Sequence, residues 1–91
     1  MGEGVVGVDL AAFGLRPGEA VRFRRSGRGR WRRGRLERIE RDGSIGVRDD
    51  KGAARALPAG VVEVAAIGPK GAATWEPLLE RMTRGDQLEL F

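Results

Sequence analysis

The chain has 91 residues, a net charge of +4, 41% apolar and 33% charged residues, and no Cys, His or Tyr. That supports one globular domain with a small core, rules out a disulfide framework, and removes the commonest general base, the thiol nucleophile and the phenolic acid. The expectation is a non-enzymatic protein without cofactor or metal: Ser26 and Ser44 have no imidazole to activate them, Asp49-Asp50 lacks a further carboxylate at ligand spacing, and Gly27-Arg28-Gly29 is not a P-loop. No apolar run reaches the ~18 residues of a membrane span, and the Met-Gly-Glu-Gly start lacks a signal-peptide pattern, so a cytoplasmic location is expected.

In chain order, Val5, Val6 and Val8 suggest an edge strand, and Asp9 suits the cap of a single turn, Leu10 to Phe13, closed by Gly14. Pro17-Gly18 marks a turn. Val21 and Phe23 alternate with Arg22 and Arg24, the pattern of a half-buried strand. Ser26 to Arg30 is a polar, Gly-interrupted loop. Trp31 to Arg41 is the longest extended stretch. Trp31 and Ile39 share a parity that Leu36 does not, and a bulge between Gly34 and Arg38 would reconcile them. On that parity Trp31 points toward the core rather than toward a nucleic-acid base. Asp42-Gly43 signals a two-residue hairpin. Ile45 and Val47 alternate with polar neighbours, Lys51-Gly52 closes the next turn, and Ala54–Leu57 and Val61–Val64 complete a set of five strands around Pro58.

Residues 65–73, rich in Gly and Ala with Pro69, are expected to be a linker. Thr74 suits an N-cap, and Pro77 is tolerated in a first helical turn. Trp75, Leu78, Leu79 and Met82 fall at i, i+3, i+4 and i+7, predicting a helix over 74–84 that packs one apolar stripe on the barrel. Gly85 is placed to end it, leaving 85–91 as an extended tail.

Two resemblances add to this. Trp31, Gly34, Leu36 and Ile39, in the pattern W-x-x-G-x-L-x-x-I followed by D-G-S-I-G-V at Asp42 to Val47, resemble the central hairpin of SH3-like and Tudor-like barrels. Leu57 to Val64, L-P-A-G-V-V-E-V, is similar to the late strand, one-turn 3-10 helix and final strand of SH3-like folds. The match covers about residues 18–64. It implies a mostly β fold: an SH3-like five-stranded antiparallel barrel with an N-terminal extension over 1–64, one short C-terminal helix and an extended C-terminal tail. The Tyr-lined groove of proline-peptide SH3 domains and the aromatic cage of methyl-lysine readers are both missing. What remains of the family's uses is contact with nucleic acid or protein.

The second resemblance lies in Gln87, Leu88, Glu89, Leu90 and Phe91. Q-L-E-L-F resembles the Q-L-x-L-F motif by which bacterial replication and repair proteins dock on the DNA polymerase sliding clamp. Three large apolar groups on an extended tail need a pocket, on this protein or on a partner. Self-packing in the barrel is the competing explanation, because a chain this short needs its apolar residues.

Charge separates along the chain. Residues 22–41 hold ten Arg against Glu37 and Glu40, while the other 71 residues carry seven basic and eleven acidic groups. The planar guanidinium fork suits phosphate. Arg24, Arg25, Arg28, Arg30, Arg32, Arg33 and Arg35 are therefore the expected nucleic-acid-binding residues, to DNA or RNA, through phosphate rather than base readout. Together these features predict a monomeric, nucleoid-associated accessory protein of bacterial DNA replication or repair. It would dock on the sliding clamp by its tail and touch nucleic acid with its Arg-rich hairpin. The alternatives are a small RNA- or ribosome-associated SH3-like protein, or a protein–protein adaptor whose Arg cluster is idle.

Overall fold

Along β2 (Ala20–Phe23) the expected alternation is realised: Val21 and Phe23 are buried and their neighbours lie on the other face. The computed structural model describes residues 7–8, 10–25 and 28–88, with the backbone alone for residues 7, 8 and 85–88. Val5, Val6, Asp9 and Glu89 to Phe91 lie outside the described residues. Besides β2, the strands are β1 (Gly7–Val8), β3 (Arg32–Glu40), β4 (Ile45–Asp49), β5 (Ala54–Leu57), β6 (Val62–Ile67) and β7 (Ala73–Pro77), followed by α1 (Leu78–Leu88). Leu10–Phe13 and Ala59–Val61 are single 3-10 turns.

The fold is mostly β, with every strand pair antiparallel. Six strands run in the order β5-β4-β3-β2-β6-β7, and the short β1 pairs with the far end of β3. Among the described residues the sheet does not close on itself; β5 and β7 end its path. Closure and the count of five strands are thus not observed, though the arrangement is compatible with a small β-barrel.

The long strand β3 explains much of the shape. Leu36 pairs with Val47 and Ile39 with Ile45, so three residues of β3 answer to two of β4 across a register shift between Leu36 and Arg38. This is the expected bulge, and it puts Leu36 and Ile39 on one face. Its consequence was not expected. Trp31 lies before the bulge, where Leu36 and not Ile39 sets the inward parity, so it sits half-buried on the outer face rather than in the core.

Inside the curl are Val21 and Phe23, Leu36 and Ile39, Ile45 and Val47, and Val62 and Val64, capped by Leu10, Leu15 and Leu78. Gly34 sits where two strands crowd. A Cβ there would lie 2.5 Å from the Arg48 carbonyl oxygen and 2.8 Å from Val47 Cγ1. Gly34→Ala is expected to lose about 1–3 kcal/mol, because backbone rather than a flexible side chain must move. A urea midpoint unchanged from the parent would contradict that.

Three hairpin loops share one chemistry. Gly43, Gly52 and Gly71 have φ of 89°, 85° and 80°. Each donates its N–H to the carbonyl three residues back, at Glu40, Asp49 and Gly68 respectively. This is a three-residue loop, a type I turn closed by a left-handed Gly. Asp42-Gly43 therefore belongs to a three-residue loop, not a two-residue one. The same geometry at Pro69-Lys70-Gly71 corrects the expected linker over 65–73, which holds the end of β6, this turn and the start of β7.

The helix expected over 74–84 is also shifted: it begins at Leu78, after Pro77 ends β7, and runs through Gly85 to Leu88. Gly85 does not stop it. Thr74 and Trp75 are strand residues, in keeping with their β-branched and aromatic preference. Leu78 is fully buried and Met82 packs against the core, but Leu79 is 49% exposed and Trp75 belongs to β7, so the predicted stripe holds only in part. Arg81 keys α1 to the sheet. Its guanidinium donates to Glu76 at 2.8 Å, to Glu19 at 3.2 Å and to the carbonyls of Ala65 and Gly14. Burial opposes the charge on Glu76, but Arg81 and Arg84 outweigh it and hold the carboxyl below its ordinary range.

Candidate functional site

Strand periodicity divides the Arg cluster. Arg32 lies on the same side of β3 as Gly34 and Leu36, while Arg33 and Arg35 lie on the other. Arg24, Arg25, Arg28, Arg30 and Arg32 meet around a groove of about 590 Å³ between the β2–β3 loop and the Leu57–Val61 segment. Its floor is Phe23, Leu57, Pro58 and Val61, and its far wall carries Arg55. Arg33 and Arg35 face a second depression, of about 450 Å³, beside Ala20, Ala65 and Trp75. The structure thus brings together five of the seven expected residues and separates the other two.

Arg55 was not anticipated, because it stands alone in the sequence, far from the Arg run. Its place is set by Asp49. That carboxylate is buried, with a side chain 1% exposed. Its Oδ1 accepts the backbone N–H of Lys51 at 2.9 Å and of Ala53 at 2.8 Å, which builds the β4–β5 turn. Its Oδ2 accepts Arg55 Nε at 2.7 Å and faces Arg32 Nη2 at 3.5 Å. Arg32 also reaches Asp50 at 3.4 Å. Both guanidinium groups flank the Phe23 ring, at 6.0 and 5.9 Å from its centroid. An Asp just ahead of the Lys51-Gly52 turn was a usable signal for Asp49, since Asp accepts backbone N–H groups two residues on; its partnership with two distant Arg residues was not.

The Arg55 guanidinium, followed by the backbone donor of Ala53, holds the Asp49 carboxyl well below the usual carboxylate range. A depressed folded-state pKa contributes stability above the unfolded carboxylate pKa of ~3.9 and loses it as pH falls toward the folded value. Asp49→Asn is therefore expected to melt below the parent at neutral pH, with the gap narrowing under about pH 4. Melting curves from pH 7 to 2 check this; a gap that stays constant would show that Asp49 is not charged in the folded protein.

The outer face carries a stack that the sequence did not reveal. The Arg24 and Arg22 guanidinium carbons lie 4.2 and 4.1 Å from the centroid of Trp31. Arg22 also lies 5.1 Å from Trp75, and Arg33 5.7 Å from Trp75. The order is Arg24, Trp31, Arg22, Trp75, Arg33, pinned at its middle by Glu63, 2.6 Å from Arg22. Cross-strand register makes it possible: Arg22 of β2 faces Arg33 of β3 and Glu63 of β6, and Trp75 faces Ala65. Such contacts are individually modest. Together they fix Arg24 at the groove edge.

The groove is electropositive at its rim. Arg25, Arg28 and Arg30 are exposed and have no acidic partner among the described residues. Arg24 stacks on Trp31 and has no ion pair among the described residues, while Arg35, on the other face, donates to the Gly18 carbonyl. Unpaired guanidinium groups around a concavity are what a polyanion needs. Among the described residues no group of three or more acidic side chains is placed to hold a metal ion, and no helix is long and apolar enough to cross a membrane. Compared with known proteins, the chain matches no family model, no curated protein and no solved structure.

Of the expected docking residues, Gln87 and Leu88 belong to the last turn of α1, and Glu89, Leu90 and Phe91 lie outside the described residues. A tail that leaves the helix at Gly85 is therefore not what the backbone shows.

Proposed function

We propose that this protein is a non-enzymatic accessory factor of bacterial DNA replication or repair, cytoplasmic, nucleoid-associated and monomeric. In this reading its groove contacts nucleic-acid phosphates and its C-terminal residues Gln87 to Phe91 dock on the sliding clamp. The observation that carries the nucleic-acid half is the convergence of Arg24, Arg25, Arg28 and Arg30 on one groove without acidic partners among the described residues. The scaffold reading, an SH3-like barrel, is supported by the bulge in β3 and by the 3-10 turn Ala59–Val61 between β5 and β6.

The clamp half rests on the Q-L-E-L-F resemblance. Docking motifs of this kind bind as extended peptides, so Gln87 and Leu88 would have to unwind from α1. That is inexpensive at a helix end, where the last carbonyls lack intrahelical partners, and Gly85 weakens the turn by about 1 kcal/mol relative to Ala. The decisive experiment is a pulldown of purified clamp, paired with a mobility-shift assay on DNA, using the full chain and a chain lacking residues 87–91. Clamp capture by the full chain alone, with DNA binding by both, is the expected pattern. DNA binding without clamp capture would leave the RNA- or ribosome-associated reading, and clamp capture without nucleic-acid binding the adaptor.

A further inference from the structure

We infer that the groove takes an unpaired nucleotide of a single strand in preference to the side of a duplex, which its rim Arg residues still contact through phosphates. The inference rests on the nucleic-acid reading above and names its ligand. A duplex offers a protein its phosphates and keeps its base faces stacked inside, so an apolar floor would go unused. A single strand can turn a base out and lay its face on an apolar or guanidinium plane.

The groove is built for both parts of such a nucleotide. Leu57, Pro58 and Val61 supply an apolar floor within a concavity of about 590 Å³, a size typical of small-ligand sites. Beside that floor, Arg32 and Arg55 are held by one buried carboxylate, so their forks are fixed before any ligand arrives. Arg25, Arg28 and Arg30, exposed and without an acidic partner among the described residues, are left to track the phosphates on either side. Sequence preference should be weak, since every base has a planar face.

The test uses fluorescein-labelled dT12 and a 12-base-pair duplex carrying the same label, titrated with the full chain by anisotropy at one salt concentration. Binding of dT12 about tenfold tighter than the duplex is expected, the gain of burying one base face. Pro58→Glu places a carboxylate on the floor at an exposed position. It should weaken dT12 binding about tenfold and duplex binding by less than about threefold, with a cooperative urea transition retained. Equal affinity for the two probes, or equal losses in Pro58→Glu, overturns the single-strand inference while leaving phosphate contact standing. Failure of both probes to bind at low salt overturns the nucleic-acid reading itself, and this inference with it.

Discussion

Deleting Leu90 and Phe91 is expected to abolish binding to the sliding clamp and to leave the melting temperature unchanged. Leu88, Leu90 and Phe91 together bring roughly 5–9 kcal/mol of apolar burial to a partner pocket. Association and the ordering of the tail consume much of this, which leaves a free peptide affinity on the order of 1–100 μM. Losing two of the three anchors carries that beyond measurement. The helical state of Gln87 and Leu88 adds a second arm to the experiment. Gly85→Ala strengthens the last turn by about 1 kcal/mol, and if that turn must unwind, clamp affinity should drop about fivefold. Isothermal titration of the clamp with the full chain, the truncated chain and Gly85→Ala reads all three. If the truncation instead unfolds the domain, and the parent chain shows no clamp binding, the C-terminal residues are part of the core and the docking reading is wrong.

Replacing Arg25, Arg28 and Arg30 together by Ala should reduce binding to clamp-loaded DNA by one to two orders of magnitude, to about the level that the tail alone provides. These three are chosen because they have no acidic partner among the described residues, whereas removing Arg32 would disturb the Asp49 cluster and the β4–β5 turn. A clamp encircles DNA, so a protein held by its tail meets that DNA at an effective concentration set by the tether. On free duplex DNA the same three changes should cut the salt dependence by about 0.9 log units per contact per decade, or roughly 2.7 in all. They should do so alike for every sequence tested, because no base readout is lost. If the triple variant binds loaded clamps as tightly as the parent, the groove does not face the DNA. The protein is then a clamp-bound adaptor.

Local chemistry determined much of the fold. Val21 and Phe23, Ile45 and Val47, and the mismatch between Leu36 and Ile39 were enough to place three strands and a bulge, because each depends on neighbours a few residues apart. The left-handed glycines Gly43 and Gly52 likewise announced their turns. The same logic misplaced β7. Gly and Ala around Pro69 look like a linker until Ile67 is seen to pair with Ala73 across Lys70-Gly71. Pro77 is compatible with a first helical turn, yet the last position of an edge strand tolerates it equally.

For the site, the sequence determined that positive charge is concentrated between Arg22 and Arg41, a matter of composition alone. Only the tertiary structure decided how that charge is shared. The pleat sends Arg33 and Arg35 to the face opposite Arg32. The bulge turns Trp31 out of the core to stack between Arg22 and Arg24. The buried Asp49 recruits Arg55 from another strand to complete a groove. Each of these arises from cross-strand register, in which residues six, seventeen or forty-one positions apart become neighbours, and register is settled by the packing of the whole sheet rather than by any local run of residues.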